Sequence, residues 1–419
     1  MLDLVLKNVI LPDGTCRDIG IRDSLVKHIG AGGVAHETID CTGYLCLPGA
    51  VDMHVHMRGG KERSKEDWTS GSKSALAGGV TLVVDQPNTL PPLITPDRFL
   101  ERVAEATRES YCNFGINGAV QEGADVPGLW KAGAMALGEI FLAPSTHGSA
   151  VSLEMLKESI TTLQEWQAPA TIHAEGSPSH RPVSLADHDC SRSVQAEEEM
   201  VKKILKAIPH YRYLHFCHLS SPGAVDSVTT TCEMTPHHLL LSFENFSPHD
   251  TRGKVNPPLR STAVRQALWS RWAHIDAIAS DHAPHTITEK QVPFEQAPAG
   301  LPGVETMIPL LLISVLEKKI TLTSLIEKTS LSPSRILGIL PPGFFPGYRA
   351  DFALFPREKT RITTEILHSR CGWTPYEGLD AVFPEVVIME GRCVYQKGEF
   401  LERSGRWYRG RGYKQSDPI

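Results

Sequence analysis

The sequence predicts an α/β fold: a (β/α)8 TIM barrel carrying a small composite β-sandwich domain built from both termini. Three observations lead there. Eight apolar or β-branched runs recur between residues 50 and 345. Segments with helical spacing separate most of them. Both ends of the chain read instead as short strands punctuated by turns.

Residues 1–49 form the first part of the terminal β domain, with turns at Asp13-Gly14 and Gly32-Gly33. Residues 50–345 form the barrel, with strands expected at 50–57, 79–86, 113–120, 134–142, 169–175, 212–219, 230–237 and 275–282. Residues 98–106 and 196–208 carry helical spacing between such runs. Residues 346–419 complete the β domain, with strands at 351–355, 385–389 and 392–395, and end in a tail. The tail is basic (Arg406, Arg409, Arg411, Lys414) and reads as a solvated end.

Composition narrows the function. A hydrophobic fraction of 41% supports a large core, and the net charge of −6 argues against a nucleic-acid partner. The start has no basic region leading into a long apolar run, and the apolar stretch at 307–315 is too short for a bilayer, so no signal peptide and no membrane association are expected. Nine dispersed cysteines without a CxxC pair suggest reduced thiols in the cytoplasm.

In a barrel, reactive side chains collect at the C-terminal ends of the strands. The first strand ends in Asp52-Met53-His54-Val55-His56-Met57-Arg58, and alternation along a strand points His54, His56 and Arg58 the same way. Alone, two histidines so spaced are a weak sign of metal, since a hydrogen-bonded pair in a packed core looks the same. Later strands add matching ligands: His173 on the fifth, His218 on the sixth and Asp281 on the eighth. Imidazole and carboxylate together suit Zn²⁺ and similar cations. Two such cations need an anionic bridge, and the fourth strand holds one carboxylate, Glu139, inside an apolar run, where it is costly unless paired or bound to metal. His237 and His238 are expected to support the site or the core, His147 to lie on the surface, and Cys217 to pack rather than react.

These residues lie in recognisable motifs. Residues 48–58, Gln86-Pro87-Asn88-Thr89, Cys217-His218-Leu219-Ser220-Ser221, Asn256-Pro257-Pro258-Leu259-Arg260 and Asp281-His282-Ala283-Pro284-His285 resemble the dihydroorotases, in the cyclic-amidohydrolase branch of the amidohydrolase superfamily. The resemblance runs from about residue 2 to 400. It implies that His54, His56 and Asp281 hold one metal and that His173 and His218 hold a second. It implies that Arg58, Asn88 and His285 grip a substrate carboxylate, that Asn256 contacts a pyrimidine ring, and that the loop carrying Pro302 and Gly303 meets the ring amide. The sequence departs from the family in two places. Glu139 stands where a carboxylated lysine usually bridges the metals, and Gly59-Gly60-Lys61 replaces a Glu-Pro-Gly.

The resemblance implies reversible hydrolysis of (S)-4,5-dihydroorotate to N-carbamoyl-L-aspartate in pyrimidine biosynthesis. Two Zn²⁺ per chain, bridged by Glu139, would activate water, with Asp281 as general base and then acid. The only partner expected is this small-molecule substrate, and homo-oligomerisation is left open. The alternatives are an allantoinase, a hydantoinase or dihydropyrimidinase, and an inactive dihydroorotase-like scaffold. Arg58, suited to a carboxylate that hydantoins lack, favours the first reading.

Overall fold

The computed structural model describes residues 1–30, 32–144 and 149–413. Eight parallel strands follow one another around a ring: Ala50–Val55, Val80–Asp85, Asn113–Ile116, Leu137–Phe141, Ala170–His173, Leu214–Phe216, Thr231–Met234 and Ala277–Ile278. Ladder pairing joins strands one to three and four to eight. Two single bridges close the ring, Gly118 with Leu137 and Val55 with His282. Each of the eight lies inside an expected run, although hydrogen-bonded pairing covers only part of it.

Helices wrap the ring because their sequences offer one apolar stripe each. Pro96–Glu109 starts on Pro96 behind a Thr95 cap and buries Phe99, Val103 and Ala106. Val194–Ala207 starts behind Ser193 and buries Val201 and Ile204. Among the described residues, no helix is long and apolar enough to cross a membrane.

The two ends of the chain share one sheet. Phe352–Phe355 pairs antiparallel with Leu45–Pro48, and through it the C-terminal strands Val386–Met389, Arg392–Gln396 and Glu399–Phe400 join the N-terminal ones. Leu4, Leu6, Ile19, Ile21, Phe352, Leu354 and Ile388 fill a core of their own beside this sheet. The strand Leu45–Pro48 runs within two residues into the first barrel strand, so the terminal sheet anchors the segment that delivers His54 and His56.

The described arginines of the tail are exposed, as its charge suggests, but its backbone is docked rather than free. Strand three is ladder-paired on only one side, which leaves the Phe114 backbone free on the other. The tail takes it up: Phe114 N donates to Arg406 O (2.9 Å) and Tyr408 N to Phe114 O (2.7 Å), while Gly410 N donates to Gly133 O (3.0 Å). Arg409 then lies over the rings of Trp407 and Tyr413. Unpaired strand edges attract extended chain, and here the aromatic residues between the arginines secure it. Lys414 lies outside the described residues.

A Cβ at Gly410 would sit 1.8 Å from Ala134 O, a rigid backbone atom. Gly410→Ala should therefore destabilise the chain by about 1–3 kcal/mol through overpacking, read as a lowered melting temperature by circular dichroism.

Candidate metal centre

The strand ends converge on Glu139. Its neighbour Gly138 makes the placement feasible: φ is +132°, and a Cβ there would meet Thr171 O at 2.2 Å. Strand four can thus press against strand five, which carries His173. Glu139 Oε1 lies 2.8 Å from His173 Nδ1 and 2.9 Å from His218 Nε2. Its Oε2 lies 3.4 Å from His54 Nε2. Asp281 Oδ1 faces the two rings of strand one, 3.7 Å from His54 Nε2 and 3.2 Å from His56 Nε2. Arg58, His218 and Asp281 hold their side chains with φ of 50°, 29° and 45°. Left-handed backbone costs a non-glycine residue stability, and three cases at one site mark a constellation held against strain.

Two of the three donor groups among the described residues share Glu139, the third being His54, Cys217 and Glu233. The donor atoms of His54, His56 and Glu139 lie within 4.8 Å of one another, as do those of Glu139, His173 and His218. Glu139 belongs to both groups and turns a different oxygen to each. All five residues are buried, and His54 Nε2 has no hydrogen-bond partner. That donor set suits a borderline divalent cation in each group.

The electrostatics point the same way. Burial works to raise the Glu139 carboxyl, but the charge of His54 and hydrogen bonds from His173 and His218 hold it well below its usual range. Burial works to lower His54, but Glu139, Cys217 and Glu233 outweigh it and push the ring well above the usual histidine range. His173 likewise rises to about 9, against burial, through Glu139 and Glu175. Protons on the imidazoles thus balance carboxylates that cations would balance on binding, so loading should release protons.

A surrounding layer fixes the rings. Glu233 Oε1 lies 2.8 Å from His54 Nδ1, and its Oε2 lies 3.1 Å from His215 Nε2. Glu175 Oε2 lies 3.0 Å from His173 Nε2 and also pairs with Arg192. Such partners set ring orientation and tautomer. Neither glutamate was assigned a role from sequence. Both carried a readable signal: Glu175 follows His173 by two along a strand end, and Glu233, like Glu139, is a lone carboxylate among buried neighbours. His238 hydrogen-bonds Thr235 Oγ1 (2.7 Å) and Pro257 O (3.1 Å), in keeping with a supporting role. His237 is buried with neither ring nitrogen partnered. His147 lies outside the described residues.

Arg58, Asn88 and Asn256 line the same cavity as Glu139, His173, His218 and Asp281. Arg58 donates from Nε to Pro284 O (3.2 Å), and its Nη2 lies 3.4 Å from His285 Nε2. His285 sits behind that guanidinium, with Nε2 3.1 Å from Ala299 O. Pro302 and Gly303 line a neighbouring cavity, and Gly303 N donates to His282 Nδ1 (3.1 Å). The part of their loop that faces the cavity lined by Glu139 and Asp281 is Ala299–Gly300. Two buried lysines hold that wall: Lys254 Nζ donates to Phe294 O and Ala297 O, and Lys290 Nζ to Thr251 O, Lys254 O and Pro298 O.

The Amidohydrolase family model matches residues 45–383. A dihydroorotase of Methanosarcina acetivorans is 38% identical over 407 residues, covering 88% of this chain and 87% of that protein. A dihydroorotase of Halobacterium salinarum is 36% identical over 416 residues, covering 96% and 99%. Among solved structures, an L-hydantoinase (dihydropyrimidinase) from Arthrobacter aurescens matches with a TM-score of 0.90 at 26% identity, covering 97% of this chain and 99% of that one.

Replacing Glu233 by glutamine removes the negative partner of His54 while keeping its shape. Glu233→Gln should weaken divalent-cation retention by about 10–100-fold, measured by competition against a chromophoric chelator.

Proposed function

The chain belongs to the amidohydrolase family, and on that footing we propose that it is a dihydroorotase, a hydrolase that opens the cyclic amide of (S)-4,5-dihydroorotate to N-carbamoyl-L-aspartate. The observation that carries the substrate is Arg58. It is 6% exposed, lines the catalytic cavity and directs its hydrogen bonds at Pro284 O and His285, both neutral. Glu62 and Asp281 act on its charge from a distance, and the carboxylate of dihydroorotate would meet the guanidinium fork in bidentate geometry. The likeness to dihydroorotases of 38% and 36% identity supports the same reading.

The cofactor is a divalent metal, and we assign two zinc ions, one to each donor group that contains Glu139, which is the bridge. When bound, they supply a Lewis acid that polarises the amide carbonyl and acidifies water. The remaining work falls to side chains. Arg58 and Asn88 hold the carboxylate, with His285 buttressing the guanidinium. Asn256 orients the ring, and the loop through Pro302 and Gly303 supports the wall on its amide side. Asp281 takes the proton of the attacking water and returns it to the departing ring nitrogen. Burial works to raise that carboxyl, but His56, His54 and His218 hold it far below its usual range, so it is ionised and ready to accept. The nine free thiols suit a reducing compartment, and we place the enzyme in the cytoplasm.

A hydantoinase or dihydropyrimidinase is the second reading, favoured by the fold likeness to the Arthrobacter aurescens enzyme. Purified, zinc-supplemented protein should turn over dihydroorotate, and a chelator should abolish it. Turnover of hydantoin, dihydrouracil or allantoin in place of dihydroorotate would overturn the assignment.

Arg58→Lys keeps the charge but loses the fork. It should raise KM for dihydroorotate at least about tenfold, with a smaller change in kcat; an unchanged KM would remove Arg58 from substrate recognition.

A further inference from the structure

A second cavity, of about 470 Å3, opens beside the catalytic one and shares Asn256 and Ala299 with it. Its charged lining has one sign: Arg181, Arg192 and Lys254, with no aspartate or glutamate among the described lining residues. The three cations are not equally free. Arg192 is neutralised by Glu175 and donates its other end to Pro144 O at 3.2 Å. Lys254 gives two hydrogen bonds to carbonyls, 2.6 Å to Phe294 O and 2.7 Å to Ala297 O, and the carboxylate that acts on its charge, Glu295, is outside the cavity lining. Arg181 is exposed and has no ion pair among the described residues. The neighbouring His180 is matched by Asp187 at 2.8 Å, and His188, which donates from Nε2 to Val255 O, is pushed down to about 4 by burial and is neutral. Two positive charges without an ion pair among the described residues, Arg181 and Lys254, therefore line the cavity that reaches Asn256.

That arrangement stands out against the rest of the molecule. The chain carries a net charge of −6, which on average repels an approaching anion. A cleft lined by one sign of charge raises the local concentration of the opposite ion and speeds its arrival.

We propose that this cavity is an antechamber for small carboxylates: the anion is captured between Arg181 and Lys254 and then passes Asn256 and Ala299 into the catalytic cavity. The inference rests on the dihydroorotase reading, under which substrate and product are both carboxylates. It adds a second anion-binding place, separate from Arg58, with a capture strength that grows with ligand charge. A dicarboxylate is held more firmly than a monocarboxylate.

The test reverses the charge at Arg181, a surface position that the fold does not need. In Arg181→Glu at about 10 mM ionic strength, kcat/KM for dihydroorotate should fall about threefold, and the inhibition constants of butyrate and succinate should rise about threefold and about eightfold. At about 1 M salt, where the screening length falls to about 3 Å, these differences should vanish. Arg22→Glu makes the same charge change on the terminal sheet and should produce none of them. Equal effects on butyrate and succinate, effects that persist at high salt, or the same losses from Arg22→Glu would overturn the antechamber. Failure of the unsubstituted chain to act on dihydroorotate would instead overturn the functional reading beneath it.

Discussion

A buried carboxylate that must be met by positive charge organises the centre of this molecule. Glu139 is 5% exposed and touches three imidazoles from three different strands. Left alone in such surroundings, a carboxylate would take up a proton. It stays charged because strands one, five and six each deliver a ring to it. The barrel is the scaffold that permits this, since closing the sheet brings the ends of strands far apart in sequence to one rim. The requirement also explains Gly138, whose missing side chain lets strand four sit close enough to strand five.

The demand for charge balance spreads outward in layers. Glu233 and Glu175 face the far nitrogens of His54 and His173, and they are answered in turn by His215 and Arg192. Asp52 ties the first strand to the eighth by accepting from Ser280 N (3.0 Å). Each of the glutamates in these layers faces at least one imidazole or guanidinium. Such a lattice is rigid, because moving any one member exposes its neighbours to the full cost of an unmatched charge.

Much of this was legible in the sequence. All eight barrel strands fell within runs read from hydrophobic patterning, because parallel strands buried on both faces write a continuous apolar signal. His54, His56, His173, His218 and Asp281 stood out as polar residues at the ends of such runs, and Glu139 as a charge within one. Glu233 and Glu175 were less legible, since their role depends on which way neighbouring strands turn them. The docking of the tail backbone was missed because its arginines dominate local composition, whereas its placement follows from an open edge on strand three, which only tertiary structure reveals. The loop through Pro302 and Gly303 shows a similar limit. Its motif was visible, but the register that turns Ala299–Gly300 to the catalytic cavity depends on two buried lysines elsewhere in the chain.

The tail carries one more implication, and it concerns biosynthesis. The open side of strand three is completed by Arg406 and Tyr408, and the sheet that anchors strand one is completed by strands after residue 350. A chain emerging from the ribosome in order therefore holds its first ligand histidines long before it holds the segments that steady them. Strands three and four meet directly at Gly118 and Leu137, but the start of strand three, at Phe114, stays open until the segment around Arg406 and Tyr408 arrives. During synthesis the barrel strands therefore precede the segments that cover the edge of strand three and anchor strand one. Those apolar edges stay open to chaperones until residues beyond 350 and then 406–410 have emerged.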